Sequence, residues 1–249
     1  FLEDFRSQER VEFGESRSYP IASCFKTSLA QVVFRKLDLE QGSSNLKLQL
    51  KVDQNYSAAS VLARLSGSNL ELEIQQLVEL MISTSDGLST DRLLDWAGLD
   101  EFNRFIAAIA PSTSVPLKLE DMVCAIWQLP NVEEVKSLAF NVAQSNALTE
   151  QVAEFGATNE HDLANLAAAS YPPEFRHSEL NRRYISAISI ERYIPRCEMF
   201  FDSNMPKCIS KTGSLLDRYF MNDHGLFVHT EKQTRIASFA YCSHGWKLP

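Results

Sequence analysis

Alternating apolar and polar residues at both ends of the chain, with helical spacing between them, most constrain the fold. Residues 1–5 and 10–14 alternate in this way, which predicts short half-buried strands. A strand-like pattern returns from about residue 199 onward. In the stretch between, apolar residues recur at the three- and four-residue spacing of amphipathic helices. This order predicts an α/β fold of the α+β type, with one antiparallel sheet built from N- and C-terminal segments.

The same pattern divides the chain into two lobes of one domain. Residues 1–22 and 195–249 are predicted to form a sheet lobe, and residues 23–194 a mostly helical lobe. Helices are predicted over residues 23–37, 74–82, 99–110, 118–129, 131–155, 160–170 and 177–192, and a further amphipathic stretch with Leu93, Leu94 and Trp96 ends at Gly98. Strands are predicted over residues 206–213, 217–221 with 225–230, and 234–242, with hairpin connections at 222–225 and 231–233.

Length, charge and composition exclude several classes of function. The chain has 249 residues, of which 45% are hydrophobic, enough to bury a sizeable core. Its net charge of −8 comes without a basic block, so we expect no nucleic-acid partner. No apolar run approaches the roughly 18 residues of a membrane helix, so we expect no membrane span. The five cysteines and five histidines lack metal-ligand spacing, and we expect no metal or other cofactor.

A serine and a lysine near the start of the first predicted helix form a candidate nucleophile and base. Ser23 and Lys26 are three residues apart, which puts both side chains on one helix face. Serine is a weak nucleophile at its own pKa, and lysine activates it only when burial or nearby cations keep the amine neutral. Ser44 and Lys47 repeat the spacing in a polar stretch without a helical pattern, and we interpret that match as coincidence.

Two further short motifs follow Ser23-x-x-Lys26 in chain order. They are Ser85-Asp86-Gly87, directly after a helical segment, and Lys211-Thr212-Gly213, within a strand-like segment. The set resembles the serine β-lactamase and penicillin-binding protein family, whose boxes are S-x-x-K, S-D-N and K-T-G. The offset of 62 residues from Ser23 to Ser85 is similar to that of class A enzymes. The resemblance implies a β-lactamase/transpeptidase-like fold, in which the antiparallel sheet is flanked by helices beside an all-helical lobe.

The resemblance also implies a role for each residue of the chemical step. Ser23 is expected to attack a carbonyl carbon, and Lys26 to accept its proton. Ser85 is expected to pass a proton to the leaving nitrogen or oxygen. The backbone amides of Ser23 and Ser214 are expected to form the oxyanion hole.

For the remaining motif residues, the resemblance implies either a role in substrate binding or a structural role in the turn that contains Ser85. Lys211 is expected to bind a substrate carboxylate and to hold down the pKa of the catalytic lysine. Thr212 offers its hydroxyl to the same carboxylate. Gly213 and Gly87 are assigned to substrate binding, and Asp86 to a structural role in its turn.

Two departures from the family pattern bear on the second half of the reaction. Gly87 stands where most members have an asparagine that contacts the substrate amide, and a divergent S-D-G subgroup suggests esterase or atypical lactam chemistry. Class A enzymes also carry an E-x-x-L-N loop whose glutamate activates the deacylating water. No such string occurs between Gly98 and Lys211, and the nearest match, at residues 160–164, looks like the start of a helix.

The sequence therefore predicts a serine hydrolase that forms an acyl-enzyme on Ser23 and hydrolyses a β-lactam or a related small amide or ester. The expected partner is a small molecule bearing a carboxylate, and the oligomeric state is not predicted. Two alternatives stay open: a penicillin-binding or esterase-like protein with slow deacylation, and a non-catalytic binding module that retains the fold. By resemblance we expect a periplasmic or secreted protein. Because family members usually begin and end with helices packed on the sheet, we also expect a longer natural chain or another segment covering that face.

Overall fold

The computed structural model describes residues 1–13, 17–39, 46–52, 55–65, 69–130, 132, 142–169, 207–216, 220–229 and 234–244. Seven α-helices lie within these ranges: α1 (Lys26–Leu39), α2 (Ile74–Ser83), α3 (Gly87–Ala97), α4 (Leu99–Ala107), α5 (Leu119–Trp127), α6 (Val142–Ala153) and α7 (Glu160–Ala169). The helix predicted over residues 177–192 lies outside the described residues. Among the described helices, none combines the length and the apolar character needed to cross a membrane.

The main sheet joins the two ends of the chain, as predicted. It contains β1 (Leu2–Asp4), β2 (Arg10–Val11), β7 (Lys207–Leu215), β8 (Phe220–His229) and β9 (Thr234–His244). Its strands run antiparallel in the order β2-β1-β9-β8-β7. Strand β1 therefore pairs with β9 as well as with its sequence neighbour β2.

The hairpin connection predicted at residues 222–225 is wrong, because these residues lie in the middle of β8. Asn222 pairs with Gly213 on one side and with Cys242 on the other, and His224 pairs with Lys211 and Ala240. Asn, Asp and Gly favour turns locally, but a strand with a ladder on each side has its backbone groups satisfied by both neighbours. The tertiary pairing therefore overrides the local preference.

Two small sheets hold segments next to the helices. β3 (Tyr19–Pro20) pairs with β6 (Ala157–Thr158), and β4 (Lys47–Leu50) pairs with β5 (Leu70–Glu73). The β5 strand runs directly into α2, where Glu73 and Gln76 form a reciprocal capping box. The β3 strand delivers the chain to the start of α1, so its pairing fixes how that helix is approached.

Helix α1 is the centre of the core and packs against α2, α3 and α4. Phe25, Leu29, Val33 and Leu37 are fully buried at helical spacing. Ile74, Leu77, Val78 and Met81 on α2 are also fully buried, as the spacing predicts. Burying each such side chain contributes about 1.5–3 kcal/mol, so the helix that follows Ser23 is held rigidly.

Candidate active site

Ser23 lies in a short 3-10 helix, Ala22–Phe25, that continues directly into α1. The preceding strand is held from two sides, because Ile21 N donates to Gly156 O (2.9 Å) and Asn222 Nδ2 donates to Pro20 O (2.6 Å). Ala22, one residue before the serine, has a φ of 49°, in the left-handed region that non-glycine residues rarely occupy. Such strain persists only where surrounding contacts enforce it, which is common at functional sites.

Strand β7 approaches the serine so closely that Gly213 has no room for a side chain. A Cβ atom there would lie 2.9 Å from Ser23 N, 3.0 Å from Ala22 Cβ and 3.0 Å from Cys24 Sγ. Glycine at this position therefore lets the strand contact the backbone of the nucleophile turn. Ser214, which follows on β7, is exposed. The two amides expected to form the oxyanion hole thus belong to segments that this contact brings together.

Lys26 is completely buried, and its amine is bound to Ser85. Nζ donates to the Ser85 carbonyl oxygen at 2.6 Å and to Ser85 Oγ at 3.0 Å. Burial, and after it the positive charge of Lys211, holds the pKa of Lys26 well below its ordinary value. A neutral amine can accept a proton, so these surroundings suit a general base.

Ser85 and Asp86 form the turn between α2 and α3. Ser85 has a φ of 57°, which turns its carbonyl and hydroxyl toward the same amine. Asp86 caps α3 by accepting a hydrogen bond from Ser89 N at 2.8 Å. Its other oxygen accepts from Ser60 Oγ (2.8 Å), Val61 N (2.6 Å) and Leu62 N (3.1 Å). With four donors, Asp86 acts as a structural carboxylate that ties residues 60–62 to the turn.

Lys211 and Thr212 lie on β7, the edge strand of the main sheet, which contacts the short helix that contains Ser23. The Lys211 side chain is 1% exposed, and its Nζ donates to Thr212 O at 2.7 Å. Its charge lowers the pKa of Lys26, so the two lysines are electrostatic neighbours. Thr212 is half-buried. The fold thus brings Ser23, Lys26, Ser85 and Lys211 into one region from three distant parts of the sequence.

His224 is a site residue that the sequence patterns missed. It is 1% exposed, with Nδ1 3.2 Å from Lys211 O and Nε2 3.1 Å from Thr27 Oγ1. Burial lowers the pKa of His224 to about 4. Because a carbonyl oxygen only accepts, Nδ1 donates to Lys211 O, and Nε2 is hydrogen-bonded to the Thr27 hydroxyl, which also lies 3.2 Å from Cys24 O. This ring links the K-T-G strand to the helix of the nucleophile. Reading residues 220–229 as one strand would have placed His224 on the same face as Phe220 and Asn222.

Tyr56 and Asp91 were missed as well, and no motif marks them. The Tyr56 hydroxyl donates to Asp91 Oδ2 at 2.7 Å. Asp91 also accepts from Leu119 N (2.6 Å) and Glu120 N (3.0 Å), which anchors the start of α5. Burial raises the pKa of both Tyr56 and Asp91. These contacts join residues far apart in sequence, so only the tertiary structure reveals them.

The stretch at residues 160–164 is helical, as expected, and forms the start of α7. Asp162 accepts from Ser112 N (2.7 Å) and Thr113 Oγ1 (3.2 Å), which fastens the connection between α4 and α5. That connection spans only residues 108–118. Its Ser114 forms a β-bridge with Ala157, so the short segment is fixed in place.

Within the described ranges, no group of three or more His, Cys, Asp or Glu side chains is arranged to hold a metal ion.

The chain matches a model of the Beta-lactamase enzyme family over residues 1–246. Among solved structures, a β-lactamase from Sphaerobacter thermophilus DSM 20745 is 22% identical, with a TM-score of 0.70 over 98% of this chain and 81% of the other. A β-lactamase from Chitinophaga pinensis DSM 2588 is 14% identical, with a TM-score of 0.75 over 100% and 85%. A mutant of PBP-A in an acyl-enzyme complex with penicillin G is 17% identical, with a TM-score of 0.68 over 100% and 81%. No curated protein matches the chain.

The family match and the similar structures test the family and the fold class that were predicted from the three short motifs. The family match and the fold of the similar structures confirm the predicted family and the α+β fold class. At identities below 25%, the similar structures establish the fold alone. The role of each residue rests on the geometry described above.

Proposed function

Because the chain belongs to the Beta-lactamase enzyme family, we propose that it is a serine hydrolase that forms an acyl-enzyme on Ser23. The observation that carries this proposal is the buried amine of Lys26, bound to Ser85 and depressed in pKa beside Lys211. A buried lysine with a lowered pKa, three residues after a serine, is the arrangement that serine activation by lysine requires.

The proposed reaction begins with proton transfer from Ser23 Oγ to Lys26 Nζ as Oγ attacks the substrate carbonyl carbon. The backbone amides of Ser23 and Ser214 stabilise the oxyanion, and the close contact at Gly213 supports this assignment. The hydrogen bond from Lys26 to Ser85 Oγ offers a route for the proton to reach the leaving nitrogen or oxygen. The bond between the carbonyl carbon and the leaving atom then breaks, which leaves the acyl group on Ser23.

The proposed substrate is a small amide, lactam or ester that carries a carboxylate. Lys211 and Thr212 lie together on β7 and supply a positive charge and a hydroxyl for that carboxylate. In this assignment Gly213 contributes to substrate binding only through its backbone, because its side-chain position is filled by the nucleophile turn.

Slow deacylation is the second candidate, and the carboxylates near Lys26 favour it. Asp86 and Asp91 both act on the pKa of Lys26 by their charge. Asp86 accepts four hydrogen bonds and Asp91 three, all from protein donors that fix local structure. A carboxylate used in this way is poorly suited to activate a water molecule. An acyl-enzyme on Ser23 would then persist.

Mass spectrometry of the intact protein tests both candidates. The starting protein and the Ser23→Ala variant are each incubated with a penicillin, a cephalosporin and an activated ester. The matched control is Ser44→Ala, because Ser44 belongs to the other S-x-x-K match in the sequence. Rapid turnover lost only in Ser23→Ala supports the hydrolase. A stable adduct lost only in Ser23→Ala supports slow deacylation. No adduct and no turnover with any compound contradicts both and leaves the non-catalytic binding module.

A further inference from the structure

His224 bridges the two segments that carry the proposed catalytic lysines. It lies on β8, and its side chain is buried. Nδ1 donates to the backbone oxygen of Lys211 at 3.2 Å, and Nε2 lies 3.1 Å from the Thr27 hydroxyl oxygen. Lys211 begins the K-T-G motif on β7, and Thr27 directly follows Lys26 on α1. One buried side chain therefore contacts both the strand and the helix of the site.

Cys24 closes these contacts into a network of four residues. Its backbone oxygen lies 3.2 Å from the Thr27 hydroxyl oxygen. Its thiol donates to the Lys211 oxygen at 3.7 Å, so that oxygen accepts from both Cys24 and His224. All four residues of this His224 network are buried: Cys24, Thr27, Lys211 and His224. Because hydrogen bonds are stronger in a buried, low-dielectric setting, the network fixes β7 relative to the nucleophile turn.

The two amides of the proposed oxyanion hole lie on opposite sides of the His224 network. Ser23 directly precedes Cys24 in the nucleophile turn, and Ser214 lies three residues after Lys211 on β7. An oxyanion is stabilised only when both donors lie about 2.7–3.1 Å from the same oxygen atom. A misplacement of about 1 Å costs about 100-fold in rate. The spacing that the network sets is therefore one on which acylation depends.

We infer that His224 is a positioning residue for acylation, because its bonds to the Lys211 oxygen and the Thr27 hydroxyl hold β7 at the distance from the nucleophile turn that the oxyanion hole requires. This inference rests on the proposed function. The buried ring acts through the backbone of β7 rather than on the substrate. Since the oxyanion forms in the transition state, loss of the contact should lower the limiting rate of acylation and leave KM nearly unchanged.

The experiment follows the burst of p-nitrophenolate from p-nitrophenyl acetate, an activated ester without a carboxylate. Ser23 Oγ bonds to the carbonyl carbon, the serine proton passes to Lys26 Nζ, and p-nitrophenolate leaves. The limiting burst rate and the ester concentration at half that rate give kcat and KM for acylation. The burst amplitude counts the sites that react, so each rate is expressed per active site and does not depend on the fraction of folded protein.

A pair of variants at Thr27 isolates the hydrogen bond from packing. Thr27→Val removes the hydroxyl and keeps the shape of the side chain, whereas Thr27→Ser keeps the hydroxyl. We expect Thr27→Val to lower the limiting rate about 10-fold or more, with KM within about twofold of the starting protein. Thr27→Ser should retain a rate within about twofold of the starting protein, because its hydroxyl still reaches His224.

His224→Leu removes the ring nitrogens and should lose at least as much rate as Thr27→Val. It leaves the Lys211 oxygen bonded to the Cys24 thiol and the Thr27 hydroxyl beside the Cys24 oxygen, so neither buried partner is orphaned. Combining Thr27→Val with His224→Leu should cost no more than His224→Leu alone, because both changes break the same contact. If His224→Leu does not fold, the two Thr27 variants decide the question.

Thr149→Val is the matched control, because Thr149 is also a buried helical threonine, and its hydroxyl donates to Ser145 O on α6. It should leave the rate per active site unchanged. Unchanged rates in all variants, an equal loss in Thr27→Val and Thr27→Ser, a loss in only one of Thr27→Val and His224→Leu, or a rise in KM in place of the rate loss would overturn the inference. In each of these cases the burst itself still supports the proposed function. Absence of any burst and of any Ser23 adduct in the starting protein would overturn both.

Discussion

The amine of the buried Lys26 donates to both the carbonyl oxygen and the hydroxyl of the half-buried Ser85, at 2.6 and 3.0 Å. This contact joins the helix of the nucleophile to the S-D-G turn. It requires the left-handed φ of 57° at Ser85, which points both oxygen atoms of that residue at one amine. This geometry makes Lys26 the proposed base on which activation of Ser23 should depend.

Lys26→Arg should slow acylation of Ser23 by about 100-fold or more, because a guanidinium stays protonated and cannot act as a base. The measurement is the rate of adduct formation with an activated ester at neutral pH. Lys36→Arg on the same helix is the control, since Lys36 Nζ instead donates to Trp96 O at the end of α3. Equal acylation rates in the two variants would show that Lys26 is not the base.

Lys211→Ala should shift the pH dependence of acylation to higher pH. The charge of Lys211 lowers the pKa of Lys26, so its removal raises that pKa and more alkaline conditions are needed to obtain the neutral amine. An activated ester without a carboxylate is the appropriate substrate, because it separates this effect from carboxylate binding. The control is Lys47→Ala, because Lys47 is exposed and pairs with Glu71 in the small β4–β5 sheet. This variant should leave the pH dependence of acylation unchanged. A profile that moves to lower pH in Lys211→Ala would contradict the assigned electrostatics.

Gly213→Ala should reduce acylation by about 10²- to 10³-fold, comparable to the loss of one oxyanion donor. The added Cβ would lie 2.9 Å from Ser23 N and would push β7 away from the nucleophile turn. Ser214→Ala is the control, since the proposed oxyanion donor at residue 214 is the backbone amide and the side chain is exposed. We expect its acylation rate to remain close to that of the starting protein, and a comparable loss there would argue against a backbone donor.

His224 should make folding stability depend on pH in an acidic window. Its pKa is about 4 in the folded protein and about 6.5 when unfolded, so the folded state binds the proton less readily. The stabilisation is fully present above pH 6.5 and is lost as pH falls toward 4, by up to about 3 kcal/mol.

Denaturant unfolding between pH 4 and pH 7 measures this effect. In His224→Gln, which cannot take up a proton, the part of the pH dependence due to this residue should disappear. His161→Gln is the control, because His161 instead packs edge-on against Phe1 at the N-terminus. The same pH slope in the starting protein and in His224→Gln would refute the assignment.

The candidate reactive residues could be identified in the sequence because the proposed chemistry imposes short linear spacings. Ser23 and Lys26 must share one helical turn, and Lys211 and Thr212 must be neighbours on a strand, so each requirement is met within a few residues. Helix α2 could be predicted for a similar reason, because one buried face demands a regular apolar period. The family and fold class followed from these local features.

Contacts between distant segments could not be predicted in this way. Tyr56 is fixed by Asp91, and His224 by Thr27 and the carbonyl of Lys211, yet none of these residues carries a signal that names its partner. Residues 222–225 have the composition of a turn but become strand, because β7 and β9 pair with them from both sides. Local sequence identified the candidate reactive groups. The tertiary structure alone decided that burial and a second lysine would lower the pKa of Lys26 and that a tyrosine would fill the space beside Gly87, since burial and close packing arise only when remote segments meet.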